Sequence, residues 1–336
     1  MKKIFSFFIL SLFGYQLSFA QRISMNDTKF LRQKEDSMKG LSVKIIQGIN
    51  SSDRLNADSL FTRILVRSLG IKNSFYYQFD SLQTISQLYA PDSTFRIFTW
   101  QLVINDNVVR QHGAIQMRTA DGSLKLFGLI DKSDVTQNIS DTIGNHRGWI
   151  GAVYYKLIQK KSFNKNYYTL LGYDEDNIRS NRKIIEVLTF DNDQPVFGSR
   201  NFSFEDDKIF KTSISRYIME YKKEAGPRLS YDPDQDMIIV EHLVSETGEP
   251  NKKWTYIGDG DYEGFKWING KWVHVEKVYH YITPLGKEPI PNPIRDNDGN
   301  VNESKLKGGE EEEEKTGTEI KVKSKTVTPV KKKKNG

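Results

Sequence analysis

The sequence predicts a mainly β fold of the α+β class, in which N-terminal helices precede a large antiparallel β-meander. Before Pro91 the apolar residues recur with helical spacing, whereas from Phe95 onward the period changes to two. The extended stretches are rich in aromatic and β-branched residues and are bounded by turn residues such as Asn269-Gly270. Because short turns join successive strands, their neighbours should be antiparallel, in a curved sheet, a barrel, a sandwich or propeller-like blades.

Three helices are expected in the N-terminal part. The first spans about residues 27–49 and carries many charges. The second has an apolar face and should begin at an Asp58 or Ser59 cap and end at Gly70. A short third helix should hold Leu82 and its neighbours and stop before Pro91.

The strands are expected to follow one another without intervening helices, which argues against a doubly wound nucleotide-binding fold. They are predicted at residues 95–104, 108–118, 124–130, 149–158, 167–172, 183–190, 196–204, 210–221, 237–243, 262–268 and 271–281.

The two ends differ from the body of the chain. Residues 1–20 have the pattern of a secretory signal peptide, with Lys2 and Lys3, an apolar run over 4–13, and a small-x-small site that predicts cleavage between Ala20 and Gln21. An uncleaved membrane anchor is the alternative. Residues 303–336 are rich in Glu and Lys and predict a disordered tail. The chain therefore divides into the signal peptide, a helical segment over 21–91, a β domain over 92–302, and the tail.

Charge and cysteine content exclude several classes of function. Residues 21–302 carry a formal charge of +1, so the high isoelectric point comes from the two ends, and a nucleic-acid partner is not expected. The chain has no cysteine, which excludes disulfides, thiolate metal sites, a thiol nucleophile and a lipid-modified N-terminus. No nucleotide or hydrolase motif is present, and we expect no cofactor.

The last hairpin contains the one constellation of residues that could support catalysis. A two-residue Asn-Gly turn places Trp267 opposite Trp272, and it places Glu263 opposite Glu276. His274 and Glu276 then share a face with Glu263, and two carboxylates beside an imidazole could share a proton or hold a metal. Alternatively, this is an ordinary sheet face with solvated charges.

A weaker candidate for a metal site is the turn containing Asp232, Asp234 and Asp236. Calcium prefers six to eight oxygen ligands, which such a turn could help to provide. The run does not match the EF-hand pattern, because Met237 stands where that loop requires glycine. Asp and Asn also stabilise tight turns by bonding to their own backbone, which is the simpler interpretation.

Six segments together carry a resemblance to a known protein family. They are FRIFTW at 95–100, YYTLLGYD at 167–174, KIIEVLTF at 183–190, PVFG at 195–198, LSYD at 229–232 and YEGF at 262–265. Over roughly residues 74–281 the chain resembles a family of uncharacterised secreted proteins from Bacteroidota. The resemblance implies export to the envelope or periplasm, and it brings no catalytic residue.

These observations lead to two hypotheses about function. The first is a non-enzymatic protein of the cell envelope, periplasmic or on the outer surface, which binds a protein or a glycan. The second is a hydrolase that acts on an envelope polysaccharide or peptidoglycan through Glu263, His274 and Glu276.

Overall fold

The computed structural model describes residues 22–105, 107–204 and 213–279. Within these ranges the chain is mainly β, with two N-terminal helices and antiparallel sheets, so the predicted fold class is confirmed. The predicted signal peptide, its cleavage site and the C-terminal tail lie outside the described residues. No helix in the described part of the chain is both long enough and apolar enough to span a membrane.

The two helices are α1 (Met25–Gln47) and α2 (Ser51–Leu69). The α2 helix begins seven residues before the predicted cap because Asn50 is its N-cap, with Oδ1 accepting a 2.9 Å hydrogen bond from the backbone N–H of Asp53. Asp58 therefore lies within the helix, and its carboxyl is free to turn toward the sheet. The predicted end at Gly70 is confirmed.

The predicted third helix is wrong. Turns lead instead into a short strand, β1 (Ser86–Tyr89), which pairs with the strand that starts at Phe95. Leu82 and Ile85 are buried beneath the two helices, so their spacing of three serves core packing rather than a helical face. Glu35 of α1 holds the segment by accepting 2.6 Å hydrogen bonds from the backbone N–H and the hydroxyl of Ser81.

Most of the remaining strands follow the predicted order with shifted ends. The strands are β2 (Phe95–Asn105), β3 (Val108–Met117), β4 (Lys125–Ile130), β5 (Gly144–Asn145), β6 (Val153–Ser162), β7 (Lys165–Asp174), β8 (Ser180–Asp191), β9 (Gln194–Phe197), β10 (Phe202–Ser203), β11 (Arg216–Lys222), β12 (Leu229–Asp232), β13 (Met237–Ser245), β14 (Tyr256–Ile268) and β15 (Lys271–Val275). Of these, β5 and β12 were not predicted, and the strand predicted over 196–204 is divided into β9 and β10.

These strands form three separate sheets. The first has the order β1-β2-β3-β4, and the second has the order β5-β9-β8-β7-β6, with β11 also paired to β8. The third has the order β10-β15-β14-β13-β12 and is antiparallel except for the short β10–β15 pair. The described residues contain no closed barrel, so the barrel and propeller alternatives are not confirmed.

The sheets are stacked with apolar layers between them. The helices pack on one face of the first sheet through Phe98 and Trp100, and its other face packs on the second sheet through Phe95 and Ile115. The far side of the second sheet packs on the third sheet. The central sheet is thus covered on both faces, which explains why residues 184–189 of β8 are all buried instead of alternating with exposed ones.

The final hairpin has the predicted turn and most of the predicted register. Asn269 and Gly270 have positive φ angles of 48° and 84°, as a type I′ turn requires. Trp267 lies opposite Trp272, and Phe265 lies opposite His274. The pairing ends at Gly264 and Val275, one step before Glu263 and Glu276 would meet.

Candidate functional site

Two of the three residues predicted in the hairpin lie in contact. The Nε2 atom of His274 on β15 is 2.8 Å from Oε2 of Glu263 on β14, and both side chains are largely buried. Glu276 follows the end of β15 and is exposed, so it does not form the predicted cross-strand pair of carboxylates.

A second histidine, which the sequence did not indicate, takes the place expected for Glu276. The Nε2 atom of His242 lies 3.6 Å from Oε1 of Glu263, and its Nδ1 lies 2.7 Å from Oδ2 of Asp259. His242 stands at a register shift of the β13–β14 pair, where Glu241 is paired to Tyr262 but Leu243 is paired to Gly258. Such a bulge changes the direction of a side chain, and no local pattern in the sequence announces it.

The four side chains form a series in which carboxylates and imidazoles alternate, from Asp259 through His242 and Glu263 to His274. Burial raises the pKa of the Asp259 carboxyl, but the hydrogen bonds from His242 and from the backbone of Asp261 outweigh it and leave that pKa below its usual value. Each imidazole can donate a ring N–H to a neighbouring carboxylate, so these contacts fix the side chains relative to one another and can orient a polar ligand.

The two middle members of this series, His242 and Glu263, face a cleft of about 570 Å³ between the second and third sheets. His242 and Glu263 line it from the third sheet, and Tyr217 lines it from β11 of the second sheet. Other polar side chains in its walls are Arg182, Glu220, Glu241, Lys253 and Tyr256. Burial, with a contribution from the charge of Glu263, raises the pKa of Tyr217, so its hydroxyl stays neutral and can donate a hydrogen bond.

Charged groups on the opposite wall are already paired with one another. Arg182 of β8 lies 2.5 Å from Asp176 and 3.4 Å from Glu220, measured between its nitrogens and their carboxylate oxygens. Because the arginine is held between these acids, it presents a fixed set of N–H donors to the cleft.

The described residues contain no group of three or more His, Asp or Glu side chains with the geometry to hold a metal ion. At the other candidate site, Asp232 Oδ1 accepts hydrogen bonds from the backbone N–H groups of Asp234, at 2.9 Å, and Gln235, at 3.1 Å. Asp236 contacts Lys160 and Tyr231 instead. This geometry is that of an aspartate-stabilised turn.

Comparison of the chain with models of protein families, with curated proteins and with solved structures found no match to any of them.

Proposed function

We propose that the protein is an exported, non-enzymatic component of the cell envelope that binds a glycan in the cleft between the second and third sheets. The observation that carries the proposal is the position of Glu263, which contacts His274 at 2.8 Å and His242 at 3.6 Å and lines a cleft rich in polar side chains. The predicted signal peptide and the resemblance to secreted proteins support export.

The chemistry of the cleft suits a polyhydroxylated ligand. Each sugar hydroxyl both donates and accepts, so it is best bound where carboxylates alternate with N–H and O–H donors. In the cleft, Glu241 and Glu263 supply acceptors, while Arg182 and Tyr217 supply donors. A mixed set of this kind also suits a small cleft better than a flat protein interface, whose core would be depleted in charge.

An aromatic surface lies close to the cleft. Trp254 is 37% exposed and belongs to the short 3₁₀ turn Lys253–Thr255, which contributes Lys253 to the cleft. The guanidinium of Arg179 lies 5.5 Å from the Trp254 ring centre and helps to fix the ring. An exposed indole presents an apolar face on which the C–H groups of a sugar ring can pack.

The binding test uses the mature protein, from Gln21 onward, on an array of bacterial polysaccharides and soluble peptidoglycan fragments. We expect retention of a subset of glycans and a loss of about tenfold or more in affinity for Glu263→Gln, which removes one charge. The matched control is Glu224→Gln, at an exposed glutamate outside the cleft. Failure to retain any glycan, or equal affinities for Glu263→Gln and the wild type, would overturn the proposal.

The hydrolase is a second candidate because three carboxylates, those of Glu220, Glu241 and Glu263, line one cleft. Glycosidases need two carboxyl groups on either side of the scissile bond, about 5–10 Å apart. Incubation of each retained glycan with the protein, followed by an assay of reducing ends, separates the two functions. Binding without release of reducing ends supports the binding protein, and release that Glu263→Gln abolishes supports the hydrolase.

Export has its own test. The protein should be recovered from the periplasmic or secreted fraction, and N-terminal sequencing should begin at Gln21. A chain that keeps Met1 would contradict the proposed removal of the leader.

A further inference from the structure

A second cavity lies on the other side of the molecule, between α2 and the first sheet, and it has a volume of about 640 Å³. Its origin is a row of three facing residues across β2, β3 and β4, in which Phe98 lies opposite Ala114 and Ala114 lies opposite Gly128. Paired residues share a face of a sheet. Side-chain volume therefore falls from phenylalanine to glycine toward the sheet edge, which leaves space that α2 does not fill.

A buried carboxylate forms one end of this cavity. Asp58 of α2 is 8% exposed, and its Oδ1 accepts a 2.8 Å hydrogen bond from the indole Nε1 of Trp100. The same oxygen lies 3.0 Å from Nδ1 of His112, which is half-exposed. Because the carboxylate can only accept, Nδ1 of His112 carries the hydrogen. No hydrogen bond to its Nε2 is found among the residues that the structure describes. In the neutral ring this atom is an acceptor, so a carboxylate ligand would have to bind elsewhere in the cavity.

Two arginines line the cavity as well. Arg63 of α2 is exposed and uses Nε in a 3.2 Å bond to the carbonyl of Ser59, and within the described ranges it forms no ion pair. Arg110 of β3 is paired with Asp134 at the surface.

Two carboxylates also line the cavity, but Oδ1 of Asp58 accepts from two ring N–H groups, and both oxygens of Asp131 accept from backbone N–H groups. Among the described residues of the lining, the cation without an ion pair is Arg63. A carboxylate is the natural partner of such a guanidinium.

The part of the lining that β4 contributes is apolar and open. Ile130 lies opposite His112 at the end of β4 and is 50% exposed, although it is a large aliphatic residue. A Cβ atom added at Gly128 would meet no atom within 4 Å, so this strand position faces empty space. Glycine inside a strand weakens it, and one reason for it to stand there is the close approach of a ligand.

From this geometry we infer that the cavity between α2 and the first sheet binds an amphiphilic carboxylate. The carboxylate pairs with Arg63, and the hydrocarbon part packs over Gly128 against Ile130 and Trp100. The cavity volume lies within the range of about 300–1,000 Å³ that is usual for small-molecule sites. This site is separate from the glycan cleft, so each can fail without the other.

The test is calorimetric titration of the mature protein with decanoate and with 1-decanol, which has the same chain but no charge. Decanoate should bind saturably, and at least about tenfold more tightly than decanol. Gly128→Leu places a side chain in the cavity and should abolish binding of both. Gly40→Leu adds the same side chain at an exposed position of α1 with equally free space, and it should bind like the wild type.

The charge is tested by Arg63→Gln, which should weaken decanoate binding to the level of decanol, while Arg63→Lys should retain part of the preference. Thermal unfolding of all variants establishes that they fold. The inference is overturned if decanoate does not bind saturably, if decanol binds equally well to the wild type, or if folded Gly128→Leu binds decanoate unchanged.

Discussion

Glu186 and Arg216 form an ion pair that is completely buried in the second sheet. The guanidinium Nε of Arg216 on β11 donates a 2.8 Å hydrogen bond to Oε2 of Glu186 on β8, and both side chains are inaccessible to solvent. Arg216 also donates to the backbone carbonyls of Ile139 and Thr142, and the hydroxyl of Tyr154 donates to Glu186. The pair thus joins β6, β8 and β11 to the loop before β5.

Loss of the arginine should destabilise the protein strongly. Arg216→Met leaves the Glu186 carboxylate buried without a counter-charge, and breaking such a pair costs about 3–5 kcal/mol. The double variant with Glu186→Leu removes both charges and should recover at least about 1 kcal/mol of that loss. Urea unfolding measures both values.

The matched control for this prediction is the exposed pair between Arg200 and Asp141, whose charged atoms are 2.8 Å apart. Arg200→Met should cost about 0–1 kcal/mol, because solvent screens the interaction. If Arg216→Met costs no more than Arg200→Met, the buried pair does not have the role that its geometry indicates.

A buried acid in the same sheet should make stability depend on pH. Burial raises the pKa of Asp174 to about 7, although a 2.9 Å hydrogen bond from Gln111 and the charge of Arg182 act against this. In the unfolded chain an aspartate has a pKa of about 3.9, so between about pH 4 and 7 only the folded state holds the proton. This group therefore makes the free energy of unfolding fall as pH rises through that window.

The variant Asp174→Asn should remove this dependence, since the amide stays neutral and can still accept from Gln111. Each unit of pKa difference is worth about 1.4 kcal/mol. The slope of the free energy of unfolding against pH, measured by urea unfolding between pH 4.5 and 7.5, should therefore differ between the wild type and Asp174→Asn. Asp193→Asn, at an exposed aspartate paired with Lys125, serves as the control and should keep the wild-type slope. Identical slopes for Asp174→Asn and the wild type would contradict the prediction.

Features fixed by nearby residues could be predicted from the sequence. The Asn269-Gly270 turn and the register beside it follow from local backbone preferences. Short apolar patterns do not distinguish a helix from a strand. The spacing of Leu82 and Ile85 fits a helix, yet the residues that follow them, Ser86–Tyr89, pair with the free edge of β2 as a strand.

The functional candidates depended on distant partners, which a single sequence does not reveal. Asp58 has the residue type of a helix cap, and only the fold brings it to Trp100 and His112, 42 and 54 positions away. His242 reaches Glu263 because of a bulge, and Glu276 misses it because β15 ends at Val275. Strand faces could thus be inferred, whereas strand ends and irregularities, which decide the site, could not.

Glu35 should be important for anchoring the segment that was predicted to be helical. Its carboxylate accepts hydrogen bonds from the Tyr77 hydroxyl at 2.5 Å and from the backbone and hydroxyl of Ser81 at 2.6 Å, and it is almost fully buried. Glu35→Ala leaves three partly buried donors without their acceptor and should cost about 2–4 kcal/mol in urea unfolding. Asp36→Ala, at the exposed neighbour on the same helix, should change stability by less than about 0.5 kcal/mol. Equal effects of the two substitutions would exclude an anchoring role.

Gly172 provides space for the ring of Tyr154, and this requirement can be tested by adding one methyl group. The two residues face each other in the β6–β7 pair, and a Cβ atom at Gly172 would lie 2.9 Å from Cδ1 of Tyr154 and 2.8 Å from Cβ of Ala152. The ring cannot withdraw easily, because its hydroxyl is bound by Trp149 and Glu186 in the buried network. Gly172→Ala should therefore overpack the core and lower the free energy of unfolding by about 1–3 kcal/mol. Gly148→Ala, where the added atom meets nothing within 4 Å, should have little effect, and the reverse order of the two variants in thermal unfolding would refute this account of the packing.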